Sequence, residues 1–506
     1  MTLELAALAG DALRQGRADL AMGLLRRALA VDPRSTSAAR DLAALSIHAH
    51  DLPGAERTLG RIVGVAPMEP ALWFNLTVAA LRAGDIGLAA RRCRILLALD
   101  PGSVGAHTFL GAALGPTDDT ASLGSFTRAL AIDPYAQDAR LGVGTRFLDR
   151  DLSVPAVRHS RILLASAPSH AAGFGNLTIA CWGAALREEA ARHARRGLAV
   201  DPGLAQAAWI LAQARLARGD YGGLGLLEAR WRLTEFRSVN GRDLAMPAWN
   251  GEIRPGLRLL IWSEQGFGDA IQFLRYVPIL RAAGVRVTLE VMEPLIALAE
   301  SLNVHVVRRG EPLPEVDAQV AVMSLPHLMG TDLGTIPAEV PYLAAPVERR
   351  ICWKERLASL PRPLIGLNWK GNPAFRRDRE RSPGFAPIRP LLDLQPFVGL
   401  VRDPGPHDNH PNLTHLGPDF ADFADTAACL EQLDLVITSD TALAHLSGAL
   451  AKPTWLLLHH APDWRWLENR ADSPWYPTCR LFRQTTPGDW TTLFQQVAAH
   501  LESLPT

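Results

Sequence analysis

Cysteine is scarce in this chain and badly placed for pairing. Cys93, Cys181, Cys352, Cys429 and Cys479 stand far apart in 506 residues, without a C-x-x-C spacing, and an odd number leaves one over. Reduced thiols in a cytoplasmic protein fit this usage best. Charge of one sign is lacking too. Lys plus Arg is 52 and Asp plus Glu is 52, so no global basic field exists to hold nucleic acid or an anionic membrane. No run of about 18 apolar residues occurs, and the opening "MTLELAALAG" has no basic stretch ahead of a long apolar core. These absences point to a soluble, unsecreted protein with no membrane span and no nucleic-acid partner. At 506 residues the chain is too long for one ordinary core, so two or three domains are expected.

What is present first is a repeat. The phrases "ALAVDP", "IVGVAP", "ILLALDP", "ALAIDP", "ILLASAP" and "GLAVDP" end at Pro33, Pro67, Pro101, Pro134, Pro168 and Pro202, spaced by 34, 34, 33, 34 and 34 residues. That period is the length of a tetratricopeptide repeat, two antiparallel helices with a proline ending the second. A second register agrees: twelve residues before each proline stands a small side chain, namely Ala21, Ala55, Ala89, Ser122, Ala156 and Ala190. Close approach of two helices requires it. The expected product is an all-α solenoid over 1–236 whose concave face binds extended peptides or proteins, with a partial seventh pair around Ala205 to Thr234 closing it. Asn75 and Asn176 share one repeat position, where the other repeats carry Ala7, Asp41, Phe109 and Gly142. From position alone they read as satisfied helix-surface amides.

After a Trp-containing connector over 237–256, the pattern changes to short apolar runs alternating with helices. Candidate strands begin at Leu257, Val285, Val304 and Ala318, giving a first lobe over 257–346. Others begin at Leu364, Phe397, Leu433 and Thr454, giving a second lobe over 347–506. Two parallel-sheet lobes imply a cleft between them. In the first lobe, "LLIWSEQGFGDAIQFLRYVPIL" reads as strand, glycine turn and helix. It is neither a dinucleotide fingerprint, since Ile271 stands where a third small residue is needed, nor a P-loop, since Asp269 and Ala270 replace the Lys-Ser/Thr pair. The turn delivers one carboxylate, Asp269, to the carboxyl end of a strand, as a helix cap or as a functional acid. A helix N-terminus there would lower its pKa and weaken it as a base. In the second lobe, "LDLVITSDTALAHLSGALAKPTWLLL" ends a strand at Thr438 and starts a helix behind Ser439, Asp440 and Thr441, with His445 one turn on from Thr441. Such a helix start offers backbone N–H groups to a phosphate. It equally reads as a plain cap over a buried histidine.

Gly268-Asp269, "WKGNPAFRRDRERS" and "SDTALAH" together resemble the bacterial glycosyltransferases of family 9, the heptosyltransferase-like group with the GT-B fold. Closer still is a subgroup in which that unit follows a tetratricopeptide array, with blocks like those at Trp369, Asp378 and Pro462; it includes bacterial flagellin glycosyltransferases. The resemblance implies that Asp269 is the base that deprotonates the acceptor hydroxyl, with Gln265 and Gly268 on the acceptor side. It assigns Ser439, Asp440, Thr441 and His445 to the nucleotide-sugar diphosphate, with Asn372, Arg379, Arg381 and Ser382 as further donor contacts. Ala442 departs from the family's glycine in that segment. No metal and no cofactor beyond the donor nucleotide sugar is implied; "DRD" at Asp149 to Asp151 lies in the array. In the groove, the resemblance to nucleocytoplasmic O-GlcNAc transferases assigns Asn75 and Asn176 to the acceptor backbone. The expected function is transfer of a sugar to a protein recruited by the repeats. The rivals are an adaptor that has lost activity, and a transferase for a lipid or polysaccharide acceptor.

Overall fold

The computed structural model describes residues 1–503 apart from 243, 265, 376 and 377. It divides into two compact units, Met1–Ala207 and Ala208–Thr506.

The first unit is a tetratricopeptide-type array of helix pairs. They are α1 (Thr2–Arg14) with α2 (Ala18–Val31), α3 (Thr36–His48) with α4 (Leu52–Val63), and α5 (Pro70–Arg82) with α6 (Ile86–Leu99). Then come α7 (Val104–Leu114) with α8 (Asp119–Ile132), α9 (Gln137–Asp149) with α10 (Ser153–Ser166), and α11 (Ala171–Gly183) with α12 (Arg187–Val200). Local chemistry sets the starts: Ser35, Asp51, Asp85, Ser103 and Asp118 each accept a backbone N–H from the first turn, satisfying donors that have no partner inside the helix. Each second helix stops just ahead of the repeating proline. The small residues Ala21, Ala55, Ala89, Ser122, Ala156 and Ala190 are all fully buried, where a larger side chain would push the paired helices apart. First helices of consecutive repeats also pack side by side, α3 on α5, α7 on α9 and α9 on α11, and so form the inner layer.

The seventh pair expected around Ala205 to Thr234 is not a pair. A single helix, α13 (Ala205–Leu216), leads into short pieces: a 3₁₀ turn at Tyr221–Gly223, α14 (Leu224–Leu227), a second 3₁₀ turn at Glu228–Arg232, and α15 (Thr234–Asn240). Four glycines at 219, 222, 223 and 225 deny this stretch the propensity for a long helix. Fully buried Arg230 then ties it to the following domain by donating to Glu264 Oε1 at 2.7 Å and Ser324 Oγ at 2.8 Å.

In the second unit, β1 (Arg258–Trp262), β2 (Arg286–Val291), β3 (His305–Arg308) and β4 (Ala318–Ala321) form a parallel sheet in the order β3-β2-β1-β4. Helices α16 (Phe267–Phe273), α17 (Tyr276–Ala282), α18 (Ile296–Ala299) and α19 (Leu325–Leu328) connect or follow these strands. The connector adds a bridge, Ala248 to Gln319, at the β4 edge. Beyond α20 (Val347–Leu357) a second parallel sheet has the order β10-β9-β8-β5-β6-β7. Its strands are β5 (Ile365–Asn368), β6 (Phe397–Gly399), β7 (Leu413–His415), β8 (Leu435–Ser439), β9 (Thr454–Leu458) and β10 (Cys479–Arg483). Its helices are α21 (Asp378–Arg381), α22 (Arg389–Leu392), α23 (Phe423–Gln432), α24 (Ala442–Ala449) and α25 (Trp490–Glu502). All eight expected strands are present; the short edges β7 and β10 are additional. One apolar core runs without a break from Leu259, Ile271 and Val277 to Leu430, Leu446 and Trp466. The two sheets therefore meet along a packed seam. No helix among the described residues is long and apolar enough to cross a membrane.

Candidate functional site

The turn after β1 is shaped by two glycines with different reasons. Gly266 has φ +114°, and a Cβ there would meet the Asp269 carboxylate at 2.5 Å. Gly268 faces the other sheet's helix: a Cβ on it would lie 2.8 Å from His445 Cδ2 and 3.4 Å from Ala442 Cα. Absence of a side chain at 268 thus lets α16 touch α24, bringing Asp269 beside the segment that follows β8. Gln265 lies outside the described residues.

Asp269 lies inside the first turn of α16, whose N-cap is Gly266, and is held from the second lobe. Its Oδ1 accepts from Arg465 Nη2 at 2.5 Å, while Arg465 Nε donates to Gln272 Oε1 at 2.5 Å and Nη1 to Asp463 Oδ1 at 2.8 Å. Arg465 is buried and clamped between carboxylates of both lobes. Burial raises the pKa of Asp269, Arg465 opposes it, and the like charge of Asp463 adds to the rise. The weakening expected from a helix terminus is reversed, because desolvation of a carboxylate outweighs the dipole of a seven-residue helix.

On the other side of the seam, Ser439, Asp440, Thr441 and His445 are all buried. Thr441 occupies the N-cap of α24 without making a side-chain cap. Instead its hydroxyl accepts from Asn368 Nδ2 at 3.3 Å, and Asn368 also reaches Thr438 Oγ1 at 3.1 Å. The Ser-Asp-Thr capping expected from sequence is corrected accordingly: β5 supplies an amide that takes the hydroxyl first. Ser439 Oγ is buried with no partner. Asp440 is pushed up to about 6, by burial first and by Asp463 second, with Trp466, Arg381 and Arg465 pulling it down. His445 stacks on Trp466 with ring centroids 5.2 Å apart, and its Nδ1 meets Tyr476 Oη at 3.0 Å. Burial and the surrounding Arg465, Arg275 and Arg381 hold its pKa well below the ordinary value, so it is neutral at pH 7.

The loop after β5 closes over the same place. Arg381 donates from Nη1 to the Asp440 carbonyl at 2.9 Å and from Nε to Asp378 Oδ1 at 3.0 Å. Ser382 Oγ accepts the Gly371 N–H at 2.9 Å and donates to Asp378 Oδ2 at 2.9 Å. Arg379 and Asn372, by contrast, are exposed, and the Asn372 side chain accepts the local N–H of Ala374 at 2.9 Å. Of the residues singled out in sequence, Gly268, Asp269, Ser439, Asp440, Thr441, His445, Arg381 and Ser382 converge. Arg379 and Asn372 stand on the rim. In the array, Asn75 Nδ2 donates to the Arg40 carbonyl at 3.3 Å, and Asn176 Nδ2 to Thr145 Oγ1 at 3.0 Å and the Leu141 carbonyl at 3.4 Å. Each amide braces its inner helix to the inner helix of the preceding repeat.

Several residues of the seam escaped sequence reasoning. Arg465 carries the ion pair to Asp269. Arg275, also buried, donates to the carbonyls of Gln272, Pro337 and Trp475 and so locks α16 to both lobes. An arginine inside an otherwise apolar helical run, as in "FLRYVP", was the available signal. A separate cavity of about 480 Å³ lies between Tyr221 and Thr331, away from Asp269.

The fold is a tetratricopeptide-type helical solenoid in the first half of the chain, followed by a unit of parallel sheets. Residues 12–77 match the tetratricopeptide repeat family. Among curated proteins the chain is similar to Protein FlbA of Caulobacter vibrioides, 29% identical over 289 residues, which is 50% of this chain and 48% of that one. The chain thus spans about half the length of the curated relative it matches. Among solved structures it is similar to the MamA protein, with 20% identity, a TM-score of 0.30, and coverage of 34% of this chain and 96% of that one. A tetratricopeptide repeat protein from Parabacteroides merdae gives 14%, 0.39, 46% and 91% in the same order. YrrB, described as having an unusual peptide-binding site, gives 15%, 0.31, 36% and 95%.

Proposed function

We propose that the second unit is a GT-B-type glycosyltransferase that moves a sugar from a nucleotide-sugar donor to a protein recruited by the repeat array, with flagellin as the first acceptor to test. The observation that carries this reading is the meeting, along one seam, of a carboxylate from the first sheet with cationic and phosphate-compatible groups from the second. The resemblance of the three sequence blocks supports it, and the array supplies the kind of extended surface that tetratricopeptide proteins use for polypeptides.

In this reading the donor diphosphate lies against the N-terminus of α24, where the backbone N–H groups of a helix start favour an anion. Arg381 and Arg465 neutralise the charge that develops on the leaving group. Asp269, raised by burial, accepts the proton of the acceptor hydroxyl once Arg465 turns toward the diphosphate. Bond formation from the acceptor oxygen to the anomeric carbon accompanies departure of the nucleoside diphosphate. Neutral His445 and Tyr476 hold the floor of the site rather than donate charge.

Thermal stabilisation by a panel of nucleotide sugars, followed by transfer assays with protein acceptors, tests the proposal. Asp269→Asn should retain donor binding and lose transfer by more than about tenfold. Absence of stabilisation by every nucleotide sugar, or undiminished transfer by Asp269→Asn, refutes it.

A further inference from the structure

The sixth repeat carries a group of side chains that the proposed transferase does not use. Cys181 on α11, with Glu189 and His193 on α12, places a thiol sulfur, a carboxylate oxygen and a ring nitrogen within 4.8 Å of one another. The helix pair creates this geometry. Glu189 and His193 stand one turn apart on one face of α12, and α12 packs against α11, where Cys181 is fully buried.

Repeat packing itself asks for no such atoms. Counted back from the closing prolines, the other five repeats place Ala12, Ser46, Ala80, Ala113 and Phe147 where Cys181 stands. At the position of Glu189 they carry Leu20, Gly54, Leu88, Ala121 and Pro155. The fifth repeat is an internal contrast. Its His159 occupies the place of His193, but there it rests against Phe147 with ring centroids 5.5 Å apart. In the sixth repeat a thiol stands where Phe147 stands in the fifth, and His193 has only the more distant ring of Phe174 at 6.4 Å. Its enclosed Nδ1, like that of His159, has no hydrogen-bond partner among the described residues; what is particular to the sixth repeat is the thiol and the carboxylate beside it. Arg161 donates to Oε2 of Glu189, orienting the carboxylate as outer-shell groups do around metal ligands.

We infer that Cys181, Glu189 and His193 bind one zinc-type divalent ion that staples α11 to α12. Thiolate and imidazole donors select such a metal over magnesium or calcium, which prefer all-oxygen sets. Three protein ligands leave the fourth tetrahedral position to solvent. On binding, the Cys181 S–H bond gives its proton to solvent and a sulfur–metal bond replaces it, with no change in oxidation state. Without the ion, burial pushes that thiol up to about 11, so it is protonated and inert.

The test uses the full chain, stripped with a chelator and titrated with Zn²⁺ or Co²⁺ alone. One ion per chain is expected, with a cobalt–thiolate charge-transfer band in the near ultraviolet and a rise in the unfolding midpoint of the array. Cys181→Ala and His193→Leu install residue types that Ala12 and Leu24 already place in the first repeat, so both variants should fold, as circular dichroism will check. Each should lower zinc affinity by more than the about 100-fold that loss of an outer-shell contact costs, and Cys181→Ala should abolish the band. Cys352→Ser, at the exposed thiol, should change neither. Failure to retain an ion, a cobalt band that survives Cys181→Ala, or one that disappears with Cys352→Ser overturns the inference.

Discussion

Replacing Asp440 by Asn should stabilise the second unit at neutral pH. The residue is 8% exposed, and its pKa stands at about 6 against an ordinary 3.8, chiefly because burial penalises the charged form. A carboxylate whose folded pKa is raised works against the fold once it ionises. Its penalty is absent below the unfolded pKa, grows between pH 3.8 and about 6, and is complete above that window. That displacement is a roughly hundredfold loss of acidity, equivalent to about 3 kcal/mol. Asn preserves the shape, and the Arg381 bond is untouched because it ends on the Asp440 backbone carbonyl. The variant should therefore exceed the parent by up to about 3 kcal/mol at pH 8, with the advantage shrinking toward pH 5. Chemical unfolding of both proteins at four pH values, following the transition of the second unit, measures the difference. A variant no more stable than the parent at pH 8, or an advantage that is the same at pH 5 and pH 8, refutes the reasoning. A gain there accompanied by weaker donor binding would mean that the buried charge is kept for function at the expense of stability.

Two further substitutions probe the seam. Arg465→Met leaves Asp269 and Asp463 without their shared cation. Because both carboxylates keep about a third of their surface in water, the cost should fall below the roughly 3–5 kcal/mol of a fully buried pair, at about 1–3 kcal/mol. The loss should be smaller in acid, where protonation of Asp269 removes its orphaned charge; pH-dependent melting checks both. Gly268→Ala should lower the melting temperature of the second unit. Overpacking against His445, which is held by Trp466 and Tyr476, costs about 1–3 kcal/mol, against about 1 kcal/mol gained from helix propensity. A rise in melting temperature would show that the two helices are free to move apart.

Legibility in the sequence followed the range of the forces involved. The repeat was readable because each unit solves the same local packing problem, leaving a small residue and a proline at a fixed offset. The eight expected strands were readable as apolar runs bounded by turns. Edge strand β10, "CRLFR", escaped because its arginines break the run, and β7 escaped because its three residues bury only Leu413. The break in the seventh pair was written in its four glycines. What the glycines do not show is where the broken stretch is anchored, which is the bond from Arg230 to Glu264, two residues 34 positions apart.

By itself the sequence determined the helical array, the two sets of parallel strands and the position of Asp269 at a strand end. Periodicity, capping and turn chemistry act between near neighbours, so their marks lie within a few residues. Only the tertiary structure decided that Arg465, 196 residues away, holds Asp269, that Asn368 takes the Thr441 hydroxyl, and that burial raises Asp269, which a helix terminus was expected to acidify. Those outcomes depend on which groups are excluded from water together, and desolvation is a property of the packed seam that no single segment contains.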